Sequence, residues 1–198
     1  MKQKIIQLLR STNREGMENV IRWLEQSDFF TAPASTNFHG NYEGGLAEHS
    51  LNVYQTALDI YNVMKQRKPS LAEHVSPENI IIAALLHDAC KVNIYKKTTK
   101  YRKDKFDQWE TYETYTVDYN EFPLGHGEKS VIRLLQLSLA LTDDEIIAIR
   151  WHMNAWDLPF QSPEMKSNIN VARNKCPLLC LIQTADGIAS AILENDTW

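Results

Sequence analysis

Ile80 to Cys90 reads IIIAALLHDAC: seven apolar residues run without interruption into His87 and Asp88. A run of this kind has no solvent face, so the segment is expected to pass through the middle of the fold. Ending it with an imidazole and a carboxylate is costly, because a buried charge is heavily penalised unless a partner or a metal compensates it. Taken alone, the stretch also reads as an ordinary helix C-terminus, with His87 capping carbonyls and Asp88 opening a turn. Its neighbours on both sides decide between the two.

Upstream, Ser76 and Pro77 supply an N-cap and a first-turn proline for this central helix. Before them a long helix is expected from about Leu46 to Gln66, with Leu46, Ser50, Val53, Ala57, Tyr61 and Met64 on one face. His49 falls on that face and points inward; by itself it is as well explained as a core residue. A loop rich in turn formers, Phe29 to Gly45, carries His39 and feeds this helix. Two short amphipathic helices, Lys2–Arg10 and Met17–Gln26, come first.

Downstream, Val92 to Glu121 loses the helical period, and Tyr115, Val117 and Tyr119 alternate with polar residues, which predicts a small antiparallel hairpin serving as a lid or a dimer contact. Between Lys91 and Lys105 seven basic residues face one acid, Asp104, whereas the whole chain carries −4. Charge runs are usually solvated surface, yet this one leaves the His-Asp element and suits a phosphate. The overall balance argues against capture of duplex nucleic acid. His126 lies between Gly125 and Gly127 at the start of a helix expected to reach Ala140, with Val131, Leu134, Leu135 and Ser138 on its face. That is an unusual place for a core histidine. Thr142 to Glu145 forms a capping box for the next helix, in which His152 faces inward and Arg150 lies on another face.

Asn154 to Asn174 is polar and reads as a loop with room for a short helix. The final helix, Cys176 to Leu193, is apolar nearly all round, with Asp186 in its middle and no basic residue after Lys175. An ionised carboxylate there needs a strong partner.

The 198 residues, 43% hydrophobic and 23% charged, fit one globular domain. No segment approaches the apolar length of a membrane span and the opening residues lack a signal-peptide core, so a soluble, cytoplasmic protein without membrane attachment is expected. Cys90, Cys176 and Cys180 are an odd set of reduced thiols, the last two reading as buried helix packing.

His49, His87, Asp88, His126, His152 and Asp186 thus stand at inward or unusual positions on separate helices. Packing explains each one alone but not all six together. Imidazole and carboxylate without thiolate suit Mn, Fe, Co, Ni or Zn, and six ligands exceed what one tetrahedral ion requires, whereas two ions bridged by a carboxylate use them all.

The order His49, His87-Asp88, Asp186 resembles the HD superfamily of metal-dependent phosphohydrolases, and His126 and His152 are similar to the second-metal ligands of its two-metal branches. The resemblance implies an all-α HD-domain bundle over residues 1–198, its core at 31–193 behind N-terminal helices at 1–30, with the hairpin inserted after the HD helix. It implies a first divalent ion held by His49, His87, Asp88 and Asp186, and a second held by His126, His152 and a bridging Asp88. Lys91, in HDACK, matches the HD-x-x-K pattern of cyclic-dinucleotide phosphodiesterases in the superfamily, although the GYP signature and His-His doublet of those enzymes are missing. Pro33-Ala-Ser35, His39 and Gly45-Leu-Ala-Glu-His49 resemble the HD domain of bacterial 3′-to-5′ exoribonucleases. The implied activity is hydrolysis of a phosphoester on a nucleotide or short oligonucleotide, with Asp88 and Lys91 catalytic and Lys91, His39 and Arg150 contacting substrate. The same ligand series is also compatible with a diiron oxygenase or with a nucleotide-sensing module that does not turn over.

Overall fold

In the computed structural model, which describes residues 1–118, 122–154 and 163–195, the apolar run becomes α4 (Pro77–Leu86), and every residue from Ile80 to Leu86 is buried. It is buried because four helices surround it: α1 (Lys2–Ser11), α3 (Gly45–Arg67), α6 (Asp143–Trp151) and α8 (Pro177–Ile188). The remaining helices flank these. Helix α2 (Met17–Gln26) packs on α1, α5 (His126–Gln136) on α6, and α7 (Pro163–Lys175) on both α6 and α8. One antiparallel hairpin, β1 (Tyr95–Lys103) with β2 (Trp109–Val117), interrupts an otherwise helical chain, with Tyr95 opposite Val117 at its base. The architecture is all-α with a small β-hairpin. Tyr119, the third residue of the alternating pattern, lies outside the described residues. Among those residues no single helix is long and apolar enough to cross a membrane.

Both capping boxes form. The Ser76 hydroxyl accepts from Asn79 N while Asn79 Oδ1 accepts from Ser76 N, and Thr142 and Glu145 make the reciprocal pair.

Three expectations are corrected. Helix α5 stops at Gln136, short of Ala140, because Ser138 adopts a left-handed backbone (φ +62°). Leu139 N then bonds Leu134 O and Ser138 N bonds Leu135 O, the paired hydrogen bonds of a Schellman terminus. The buried face of α5 is accordingly Gly127, Ser130, Val131 and Leu134, leaving Leu135 exposed. The polar segment after Asn154 holds a 13-residue helix, α7, with Ile169 and Ala172 buried; a first-turn proline starts such a helix well. Cys180 is exposed, unlike the buried Cys176.

A buried acid helps tie the first two helices to the rest. Glu145 is fully buried and takes a bidentate pair from Arg14 (2.7 and 2.9 Å) together with a hydrogen bond from Asn79 Nδ2 at 2.9 Å. Arg14 also donates to Ala140 O, fastening the α1–α2 turn against the end of α5. Arg14→Ala is expected to lose about 2 kcal/mol of folding stability, since Glu145 keeps its neutral donors but loses its cation. Urea denaturation would measure it, and a loss below a few tenths of a kcal/mol would contradict the role.

Candidate metal centre

His87 and His152 occupy equivalent positions, each the C-cap residue of its helix, α4 and α6, with the same helical backbone conformation. In each, Nδ1–H donates to the main-chain carbonyl three residues back, His87 to Ala84 at 2.8 Å and His152 to Ile149 at 2.7 Å. A carbonyl only accepts, so the proton is fixed on Nδ1 and the Nε2 lone pair is presented on the opposite side of the ring. The helix-cap reading of His87 is met by Nδ1, while Nε2 faces the Asp88 carboxylate. His49, in the first turns of α3, is held the same way by a side chain: its Nδ1–H donates to the Glu194 carboxylate at 3.1 Å, and Asn52 steadies Glu194. His126 opens α5, with Nδ1 3.4 Å from Cys90 Sγ.

All four Nε2 atoms converge on Asp88, which is 2% exposed. Its Oδ2 lies 3.6 Å from His49, 3.3 Å from His87 and 2.7 Å from Lys91 Nζ. Its Oδ1 lies 2.7 Å from His126 and 3.6 Å from His152. Asp186 Oδ1 stands 3.3 Å from His49 Nε2, and the Nε2 atoms of His49 and His87 are 3.3 Å apart. Ligand atoms sharing one ion at about 2.1 Å stand roughly 3 to 3.5 Å from one another. The His49–Asp186 and His49–His87 separations have that spacing. The group made by Asp88, His126 and His152 is similarly close, its candidate ligand atoms all within 4.8 Å.

The fit to a cation is tested most directly by His152. Its Nε2 is buried and, among the described residues, accepts no hydrogen bond. Burial lowers its pKa, which keeps the ring neutral and the lone pair free. An unsatisfied buried acceptor costs about 1–3 kcal/mol; a divalent ion satisfies it.

Protons occupy other donors. Burial opposes the charge on His49, but hydrogen bonds to Asp186 and Glu194 push its pKa up to about 9. His126 also rises against burial, to about 10, through Cys90 and the Asp88 carboxylate. Asp186 is held below the usual carboxylate range, burial being outweighed by the hydrogen bond from His49. Lys91 is largely buried, and although burial works against its charge, Asp88 holds its pKa above the ordinary lysine value. It is not a solvated lysine.

These shifts fix the sign of a pH effect. Because both histidine pKa values are raised, the proton-linked stability of the metal-free protein is present below pH 6.5 and is lost as pH rises through 9 to 10. Cation binding displaces those protons, so Mn²⁺ affinity is expected to increase by up to about tenfold per pH unit per proton from pH 7 until those values are passed. Competition titration with a chromophoric chelator measures it; affinity that is flat from pH 7 to 9 contradicts it.

His39 stacks beside His49, ring centroids 4.8 Å apart, and lines the cavity together with Asp88, Lys91, His126, His152 and Asp186. Arg150 is not brought there. Its guanidinium pairs with Glu128 at 2.8 Å and lies 4.1 Å from the Trp151 ring centroid, and it is not among the residues lining the cavity. The cause is visible in the helix: His152 takes the inward position at the end of α6, which leaves Arg150 on a different face.

Sequence reasoning missed Glu194 and Cys90. Past Ile188 the terminal helix widens into a π-helix, Ala189–Leu193, and Glu194 N bonds Ala189 O five residues back. The wider turn returns Glu194 to the face that carries Asp186, which a 3.6-residue wheel does not anticipate.

The chain belongs to the HD domain family, which matches residues 46–191, from the first turn of α3 into the π-helix that follows α8. Over 78 residues it is 37% identical to the dihydroneopterin 2′,3′-cyclic phosphate phosphodiesterase of Methanocaldococcus jannaschii, a stretch covering 39% of this chain and 30% of that protein. The match thus spans less than a third of the relative's length. No solved structure matches the chain.

Proposed function

We propose that this protein is a metal-dependent phosphohydrolase that cleaves a phosphoester of a nucleotide or short oligonucleotide. The observation that carries the reading is the division of Asp88: one oxygen faces His49 and His87, the other faces His126 and His152. In this assignment His49, His87, Asp88 and Asp186 hold a first divalent ion and His126, His152 and Asp88 a second, drawn from Mn, Fe, Co, Ni or Zn. Such ions, when bound, make water acidic enough to attack at neutral pH and neutralise phosphoryl oxygens.

The chain's own groups do the rest. Lys91, poised 2.7 Å from Asp88, supplies a fixed cation for charge that develops on the phosphate. His39 is kept neutral by burial, and its Nε2 has no partner among the described residues, so it is free to contact a substrate oxygen. The name of the partial relative, a phosphodiesterase acting on a cyclic phosphate, supports the same class of reaction. A buried lysine in the cavity favours an anionic phosphoester over dioxygen as the partner of the site.

Protein loaded with Mn or Fe is expected to release phosphate or a nucleoside monophosphate from at least one member of a panel of nucleotides, cyclic nucleotides and short oligonucleotides. His87→Ala is expected to lower that rate at least about tenfold. An unchanged rate in His87→Ala, or one that survives exhaustive chelation or depends on dioxygen, would remove the proposal.

A further inference from the structure

Two cavities meet at His39 and Ser190. One, of about 450 Å³, contains the Asp88 cluster. The other, of about 660 Å³, lies beyond His39 and is lined by Phe38, Asn41, Tyr42, Glu194 and Asn195 among others. Nothing in the hydrolytic chemistry accounts for the second cavity, and its surface has a distinct character.

Among the described residues no lysine or arginine lines it, and its one carboxylate is Glu194. A further phosphate meets a carboxylate there and no cation. Two aromatic rings stand at it instead, Phe38 80% exposed and Tyr42 47% exposed. Leaving such rings in water forgoes burial that a flat ligand would restore. Asn41 Oδ1 is buried and, among the described residues, accepts no hydrogen bond. A buried acceptor without a donor calls for an N–H. The group that brings a π face and in-plane N–H donors without charge is a nitrogen heterocycle.

The loop that carries these residues is already set. Ser35 Oγ accepts from Phe38 N and donates to His39 O, both at 2.8 Å, and Ala34 N bonds Gly40 O at 2.9 Å. Gly40 has a left-handed backbone (φ +58°), and its carbonyl sits where a Cβ on Gly45 would be, 2.1 Å away. The hairpin braces the loop from outside, Tyr95 donating to Ala34 O and Thr114 to Thr36 O. A pocket held in this way binds without the cost of ordering it.

We infer that this second cavity receives the uncharged nitrogen heterocycle of the substrate, a nucleobase or a fused ring like it, attached to a single phosphoester that lies in the first cavity. The inference rests on the phosphohydrolase reading and narrows it to a mononucleotide or cyclic mononucleotide, at the expense of polyphosphates and of oligonucleotides that would thread a further phosphate past Glu194.

Binding, not turnover, tests it, so that its failure is separate from a failure of the hydrolysis panel. The manganese-loaded protein would be titrated calorimetrically with hydrolysis-resistant 5′-phosphorothioates of the four ribonucleosides and of ribose. At least one nucleoside thioate is expected to bind about tenfold more tightly than the ribose thioate, the gain that stacking of one base provides. Phe38→Ala and Asn41→Ala are each expected to shrink that gap by about threefold or more while manganese content stays unchanged. Equal binding with and without the base in the wild type, or a gap that survives both substitutions, overturns the inference.

Discussion

Asp88→Asn is expected to reduce turnover on the order of 10³-fold and to abolish the binding of a pair of cations. The amide keeps the shape of the carboxylate but loses its charge, and one of its two ends becomes a donor that no cation accepts. Either orientation of the amide therefore leaves one half of the cluster, the His49–His87 side or the His126–His152 side, facing nitrogen in place of a carboxylate oxygen. A second consequence is independent of metal. Lys91 Nζ sits 2.7 Å from Asp88 Oδ2 and is mostly buried, so removing the negative charge strands the ammonium. Breaking a buried pair from one side typically costs about 3–5 kcal/mol. Metal content, steady-state rate and chelator-treated melting temperature should move together. An Asp88→Asn protein that still binds two equivalents of manganese would refute the bridging-carboxylate assignment outright.

Gly127→Ala is expected to destabilise the fold by about 3 kcal/mol and to weaken the His126–His152 side of the cluster selectively. A Cβ at this position would lie 2.1 Å from Arg150 O and 2.7 Å from its carbonyl carbon. Both are main-chain atoms in α6, so the contact is relieved only by backing α5 away from α6. His126 precedes Gly127 and His152 follows Arg150 by two residues, so the same retreat pulls the two rings apart; their centroids are now 5.1 Å from each other. Urea denaturation and metal stoichiometry would read the two effects. Gly187→Ala serves as the stability control, because a Cβ there meets nothing within 4 Å. Equal behaviour of the two variants would show that the close approach at Gly127 does not set the geometry.

Much of this was legible from residue order alone. Ile80–Leu86 announces the central helix because nothing polar interrupts it, Ser76 announces its start through the proline that follows, and Thr142 announces another helix through Glu145 three residues on. The six candidate ligands were found by their discomfort: ionisable groups on apolar faces. What escaped was whatever depended on a departure from ideal helix geometry or on distant packing. Glu194 is brought in by the π-turn, Ser138 ends α5 in a left-handed conformation that serines seldom adopt, and Cys90 meets His126 only because α5 lies across the segment after α4. Arg150, a candidate substrate contact, instead pairs with Glu128 across the α5–α6 packing, which residue order does not show.

The imidazoles of His87 and His152 are clamped to main-chain carbonyls, whereas that of His49 is clamped to the side chain of Glu194. Two of the rings are thus beyond the reach of mutation elsewhere, since every amino acid carries the same carbonyl. The third hangs on an exchangeable hook. Descendants of this chain that tune the basicity of the cluster have an inexpensive dial at position 194, as they do at Cys90, whose sulfur stands against His126.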